Sequence, residues 1–293
     1  MKKKVLILGS TGLIGHQIYT FLKKKNKYQL FNISKSKLNS DTIVLDATNY
    51  FKLEKEIINI KPEFIINCIG ILIEKSEKFP DIATKLNSNL PKQLEATSKK
   101  LKFKIIHMST DCVFSGNKGN YNEYDIPDGE TDYAKSKIKG EIDSKVHLTI
   151  RTSVIGPELK KGTELFDWFM RAKDNVNGYT GSIWSGVTTL ELSKMVFYCI
   201  ENNINGIYNF TSSVPTTKYE LLLTIKDVFN KDIIVKKTVG VETNKVLIDN
   251  RKLINFNVPN YSTMIKDLYH EMKNNLGIFP QYRHYFGPDS EIL

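Results

Sequence analysis

The chain opens on a run with no polar position, residues 5–8, closed by Gly9. A short, wholly apolar run ending in glycine predicts a strand buried on both faces of a parallel sheet. Residues 13–24 then change period, with Leu13, Ile14, Ile18, Phe21 and Leu22 falling on one helical face. The alternation repeats down the chain. Further strands are predicted at 30–33, 43–45, 64–67, 105–108 and 148–151. Helices are predicted at 50–60, 81–99 (running through Pro91) and 131–142. Strands separated by helices in this rhythm predict the α/β class, a Rossmann-type doubly wound parallel sheet.

Beyond Gly156-Pro157 the rhythm loosens. Helices are expected at 165–172, 189–201, 216–229 and 262–274, and a short strand at 206–210 is expected to rejoin the sheet. The pattern divides the chain into a nucleotide-binding Rossmann domain, residues 1–156, and a smaller, mostly helical lobe for substrate, residues 157–293. The tail from Gly277 carries Phe279, Tyr282, Tyr285 and Phe286. That density of rings points to packing or to subunit contact, and a homodimer is one arrangement it would serve.

Composition changes this picture little. The chain has 293 residues, 41% hydrophobic and 25% charged, which is ordinary for a globular protein. Its formal net charge of +10 comes from lysines dispersed among acidic residues, and arginine is scarce. Dispersed lysine argues against a nucleic-acid or membrane-surface partner, although an anionic substrate would gain from the field. Cys68, Cys112 and Cys199 form no C-x-x-C or Cys/His cluster, so neither a disulfide framework nor a metal site is indicated. No apolar stretch reaches the length of a membrane span, and the N-terminus lacks a signal-peptide pattern, so a cytoplasmic location is expected.

Candidate chemistry lies at the predicted strand ends. Gly9, Gly12 and Gly15 sit between the first strand and first helix, where a pyrophosphate can rest on free backbone N–H groups. The spacing is G-x-x-G-x-x-G, which a plain turn would also satisfy. The segment after the second strand, Ser34-Lys35-Ser36-Lys37, holds no carboxylate to grip a ribose 2′-hydroxyl. Ser34 and Lys35 suit a 2′-phosphate and favour NADP, with NAD the alternative. Asp46 is placed either to touch an adenine or to cap the next helix. Asn67 and Gly70 close the fourth strand at the edge where such sheets bind ligands, or simply make a turn. Ser109 and Thr110 close the fifth, where a hydroxyl could bond a reacting oxygen or satisfy the strand end. His107, inside an apolar strand, reads as a core residue.

Tyr133 and Lys137 stand four residues apart on one helical face. A lysine cation beside a phenol favours the phenolate, so the tyrosine pKa is expected below its ordinary value of about 10. Such a phenol can pass a proton to or from a carbonyl or alcohol oxygen. Asp132, Glu141 and Asp143 read as ordinary helix-surface charges.

Together these residues resemble a family. The glycine turn, Ser109-Thr110-Asp111-Cys112-Val113-Phe114, and Tyr133-x-x-x-Lys137 with Gly140-Glu141 resemble the extended short-chain dehydrogenase/reductases. With Arg151-Thr152-Ser153, Gly186-Val187-Thr188-Thr189 and Asn87, the chain looks like the dTDP-4-dehydrorhamnose reductase branch. The resemblance implies reduction of the C4 ketone of a nucleotide-linked 4-keto-6-deoxyhexose by NAD(P)H, for surface polysaccharide synthesis. It implies Thr110, Tyr133 and Lys137 as the catalytic set, with Lys137 also holding the nicotinamide ribose. Cofactor contacts are implied at Gly9, Thr11, Gly12, Leu13, Ile14, Asp46, Asn67 and Gly70. The chain departs from the branch at Cys68-Ile69-Gly70, Cys112 and Val154-Ile155-Gly156, all around the substrate pocket, which leaves the sugar open. Trp184, Arg151 and Arg171 are candidate contacts for sugar or diphosphate. Two rivals stand beside this reading: a sugar nucleotide epimerase or dehydratase of the same superfamily, and a non-catalytic NADP-binding regulatory subunit.

Overall fold

The computed structural model describes residues 1–160, 162–250 and 255–287. Six strands build the sheet in the first half: β1 (Lys4–Leu8), β2 (Gln29–Ser34), β3 (Thr42–Val44), β4 (Phe64–Asn67), β5 (Lys104–Met108) and β6 (Leu148–Arg151). Four short strands then leave it: β7 (Val154–Ile155), β8 (Asn175–Tyr179), β9 (Ser182–Trp184) and β10 (Val187–Thr188). β11 (Gly206–Asn209) returns and pairs with β6. The resulting order is β11-β6-β5-β4-β1-β2-β3, seven strands with every pairing parallel. All the strand C-termini therefore meet one edge.

β1 is apolar throughout because both its faces are covered. Val5 and Ile7 face one core, with Ile18 and Leu22 of α1 (Leu13–Lys25) and Leu192, Val196 and Cys199 further along the chain. Leu6 and Leu8 face the other, with Leu53 and Ile57 of α2 (Tyr50–Ile60). The period of two along the strand sends alternate side chains into separate cores.

The expected helix at 81–99 runs through Pro91 as predicted, but its middle is widened. After α3 (Ile73–Lys78) and α4 (Pro80–Ala83), a π-helical segment covers Thr84–Asn89, and α5 (Leu90–Leu101) follows. Pro91 has no N–H to offer the carbonyl of Asn87, four residues back, so the turn widens there. The freed carbonyl faces Gly140 at the end of α6 (Asp132–Gly140). Thr131 caps α6 by accepting from the Ala134 N–H at 3.1 Å.

The second half packs a core of its own around α7 (Leu165–Arg171), α8 (Thr189–Glu201), α9 (Lys218–Val228) and α10 (Tyr261–Lys273). Helices outweigh strands here, but among the described residues the strands form three further small sheets, one of them the pair β10 and β7. β13 (Ile234–Thr238) pairs with β8, while β9 lies between β12 (Thr216–Thr217) and β14 (Thr243–Asn244). The aromatic tail packs within the chain: Phe279, Tyr282 and Phe286 are buried in the core of Phe166, Phe169 and Phe229. Among the described residues, no helix is long and apolar enough to cross a membrane.

Two glycines set the approach of helices to the sheet. A Cβ on Gly15 would lie 2.2 Å from the Gly9 carbonyl oxygen, and one on Gly140 would lie 1.9 Å from that of Asn87. Both clashes are with backbone, which cannot swing aside. Gly140→Ala should therefore destabilise the protein by about 3 kcal/mol, the upper end of overpacking costs, as read by urea unfolding.

Candidate active site

The site begins at the β1–α1 turn. Gly9 has a φ of +78°, open to glycine, and its N–H donates to the Ile33 carbonyl at 2.8 Å. Gly12, the N-cap of α1, brings no side chain to cap the first helical amides, and no acidic residue follows in the first turn. Uncapped amides at the positive end of a helix dipole make an anion site. A cavity of about 860 Å³ opens there, lined on one side by Thr11, Gly12 and Leu13. Ser36 and Lys37 after β2 and Lys23 of α1 line it too, with residues 158–160 and 275–278 forming the far wall. A glycine cradle, bare amides and lysines fit a dinucleotide phosphate chain. Ile14, next along the helix, packs against the core.

The other cofactor candidates fall differently. Ser34 is buried and its hydroxyl donates to the Ser36 carbonyl. Lys35 turns to Asp46, an exposed ion pair with Nζ 3.0 Å from Oδ2. The cavity is thus lined by the two residues that follow, Ser36 and Lys37. Asp46 accepts from the Thr48 N–H at 2.9 Å, while Asn49 is the residue that caps α2. Burial pushes the Asp46 carboxyl up, but Thr48 and Lys35 outweigh it and hold the pKa below the ordinary value. Asn67, fully buried, spends its amide on His107 Nδ1 at 3.1 Å and on the Ile69 N–H at 3.2 Å. Gly70 is exposed beside Asn87.

Thr110, Tyr133 and Lys137 meet at the ends of β5 and α6, and all three are buried. Thr110 Oγ1 donates to Asp111 Oδ1 at 3.1 Å and accepts from the Cys112 N–H at 3.1 Å, and it lies close enough to the Tyr133 phenol to pull its pKa down. Lys137 Nζ donates to the Met108 carbonyl at 2.6 Å. Asn87, missed as a site residue except through the family resemblance, braces this helix. Its amide donates to Ser136 Oγ at 3.0 Å, and Ser136 Oγ donates to the Tyr133 carbonyl at 2.8 Å.

The expected lowering of the tyrosine pKa is corrected. Burial is the largest effect and pushes the Tyr133 pKa up, with Cys112, Asp111 and Glu164 adding to it and the nearby Thr110 side chain opposing it. The four-residue spacing is as expected, but the lysine spends its charge on the Met108 carbonyl. Burial also pushes Lys137 down to about 8, against the upward pull of Glu141 and Cys68. Asp111, a carboxyl next to Thr110, is held above its ordinary range by burial, with Lys245 opposing. His107 is a core histidine, its pKa pushed well down by burial and by Lys137 and Lys92.

Two of the expected sugar contacts are committed elsewhere. Arg151 is buried against Glu141, Nη2 to Oε2 at 2.7 Å, and Arg171 pairs with Asp167 at 2.9 Å. Trp184 Nε1 donates to Ser153 Oγ at 2.8 Å, beside the end of β6. Glu141 is therefore no surface charge. A charge at the C-terminus of a helix looks solvated in sequence, and only the arginine ten residues on hinted otherwise.

The family model described as RmlD substrate binding domain matches residues 2–264. The chain belongs to this family. Its fold is that of the extended short-chain dehydrogenase/reductases. A Bacillus anthracis dTDP-4-dehydrorhamnose reductase solved in complex with NADP is 22% identical, covers 92% of this chain and 100% of its own, and gives a TM-score of 0.79. A hypothetical dTDP-4-dehydrorhamnose reductase from Sulfolobus tokodaii is 25% identical over 89% of this chain and 98% of its own, with a TM-score of 0.76. In sequence the chain is also 24% identical over 246 residues to Methionine adenosyltransferase 2 subunit beta of Bos taurus, spanning 78% of this chain and 72% of that one.

The buried lysine has a measurable consequence. In the unfolded chain Lys137 keeps its proton to about pH 10.4, whereas in the fold it loses it near 8. Between those values the unfolded state binds more protons. This group's stabilising contribution is thus complete above about 10.4 and lost as pH falls through about 8. In protein with carbon-13-labelled lysines, two ε-carbon resonances should titrate near 8, those of Lys137 and of Lys104. Lys137→Met should remove one of them.

Proposed function

We propose that the chain is an NADPH-dependent reductase of the C4 ketone of a nucleotide-linked 4-keto-6-deoxyhexose, serving surface polysaccharide synthesis in the cytoplasm. The observation that carries the reading is the Tyr133 phenol buried within reach of the Thr110 side chain, with Lys137 one turn on, at the same strand edge that carries the glycine turn. Membership of the RmlD family and the likeness to an NADP-bound reductase of that fold support it. Residues 1–156 would carry the cofactor and 157–293 the substrate, with β11 returned to the sheet.

NADPH, when bound, supplies the hydride. Gly9, Thr11, Gly12, Leu13 and Ile14 would hold its pyrophosphate, and Ser36, Lys37 and Lys23 the 2′-phosphate, with Ser34 and Lys35 supporting that loop. Asp46, Asn67 and Gly70 would line the adenine and nicotinamide sides. NAD would lack the charge for which the lysines are suited. Thr110 orients the substrate carbonyl oxygen, and Tyr133 gives that oxygen its proton as the carbon gains hydride. A phenol whose pKa is raised by burial is kept protonated until needed, as an acid must be. The Lys137 cation then stabilises the phenolate left behind and binds the nicotinamide ribose hydroxyls.

One observation favours a second reading. The sequence likeness to a protein named as a subunit of methionine adenosyltransferase is compatible with a chain that binds NADP and regulates a partner. The epimerase and dehydratase alternative has no such support beyond the shared fold.

NADPH consumption against dTDP-, UDP-, GDP- and CDP-linked 4-keto-6-deoxy sugars tests the proposal. Tyr133→Phe should lower turnover by about 10²- to 10⁴-fold, the usual worth of a general acid, with NADPH affinity retained. Lys37→Glu should weaken NADPH about tenfold or more while leaving NADH little changed, since charge on a phosphate is what it removes. Tight NADPH binding without turnover on any of these sugars would overturn the reductase in favour of the subunit.

A further inference from the structure

Glu141 lies at the centre of a buried polar cluster that the reaction as described does not use. It follows the last turn of α6, and its N–H donates to the Lys137 carbonyl at 3.1 Å. Its side chain is 7% exposed and that of Arg151 is 3% exposed. Oε1 accepts from Ser109 Oγ at 2.7 Å and from Arg151 Nε at 2.8 Å, and Oε2 accepts from Arg151 Nη2 at 2.7 Å. Ser109 precedes Thr110, and Arg151 ends β6. One carboxylate thus joins the strand end bearing Thr110, the helix bearing Tyr133 and Lys137, and the neighbouring strand.

Stability alone does not account for such a cluster. Taking both charges out of water costs about what their attraction returns, and an apolar replacement of the pair is often neutral or better. The environment of Lys137 supplies another role. On its own helix it faces Tyr133 and, four residues on, Glu141. From β5 it meets the Met108 carbonyl and neutral His107, and from the end of β4 the Cys68 thiol. From α5, Lys92 donates to the Glu141 carbonyl at 2.6 Å and adds positive charge. From β6, Arg151 brings a second buried cation, whose Nη1 has no hydrogen-bond partner among the described residues. Among these groups Glu141 is the carboxylate, set between two cations.

We propose that Glu141 is a positioning residue that keeps Lys137 protonated at working pH and locks α6 onto the end of β5, with Ser109 and Arg151 holding its carboxylate in place. The inference deepens the role given to Lys137 above, and its test does not depend on that role being catalytic.

The test is the labelled-lysine titration, run on the whole chain. Glu141→Gln should lower the Lys137 midpoint by about one pH unit or more, a tenfold or larger rise in its proton dissociation constant. Arg151→Met should leave the midpoint at or above that of the parent protein. Glu141→Gln leaves the buried Arg151 without its carboxylate and puts folding at risk, so the double variant Glu141→Gln/Arg151→Met, which buries no unmatched charge, decides. Its midpoint should also fall. A purely structural role would have the opposite sign, because a loosened α6 admits water and lets Lys137 rise toward about 10.4. A midpoint in the double variant that is unmoved or raised overturns the proposal. A chain that turns over no sugar nucleotide still gives a falling midpoint, so failure of the reductase reading and failure of this one remain distinct.

Discussion

The arrangement of the site follows from one requirement: a lysine cation buried at the sheet edge must find oxygen. Lys137 has little water to solvate it, and it meets this need with the Met108 carbonyl at 2.6 Å. That bond fixes how far α6 can stand from β5. To reach it, the helix must close on its other neighbours, and Gly140 lets its last turn press against the Asn87 carbonyl freed by Pro91. With the helix at that height, the residue one turn earlier, Tyr133, arrives beside Thr110. The placing of Tyr133 beside Thr110 is then a by-product of satisfying a buried charge.

A second constraint links the two halves of the chain. After β7 the backbone turns at Pro157, whose carbonyl lies 2.9 Å from Nε2 of the fully buried His16 of α1. A carbonyl only accepts, so Nε2 carries the proton, and burial holds His16 neutral by pushing its pKa down to about 4. The segment beyond is thereby drawn over the glycine turn, where residues 158–160 become a wall of the cavity. The same strand-to-helix turn that exposes amides for a phosphate also anchors the chain that covers them.

Much of this was legible in sequence, and the failures share a cause. β1, β4, β6 and α2 were readable because burial on one or two faces leaves a period of two or 3.6. β8 was not, since Asn175-Val176-Asn177-Gly178-Tyr179 turns only Val176 and Gly178 inward, and Gly178 is small because Tyr219 and Val235 crowd it. The π-helical turn at Thr84–Asn89 was hidden because an apolar pattern does not register how a proline redistributes hydrogen bonds. Thr110, Tyr133 and Lys137 do lie close together, where the end of β5 meets α6, with the glycine turn two strands away on the same sheet edge. Their protonation was misjudged, because sequence spacing reports neighbours while pKa depends on burial. Glu141 and Arg151 failed for the same reason, since a charge is read as exposed until a tertiary partner is seen.

The glycine-turn cavity bears on the choice among enzymes sharing this fold. A reductase must release its oxidised cofactor at every turnover, whereas an enzyme that recycles its own hydride gains by retaining it. Retention calls for buried, geometrically matched charge pairs. The lysines at this cavity, Lys23, Lys24, Lys37 and Lys160, are exposed, and Lys24 is paired with Glu271. An exposed ion pair is worth roughly 0–1 kcal/mol and is screened by salt. A few such contacts would favour a doubly charged phosphate over a hydroxyl without fixing a nucleotide in place. Exposed lysines at the rim, in place of a buried carboxylate after β2, suit the cofactor exchange that the proposed reductase requires.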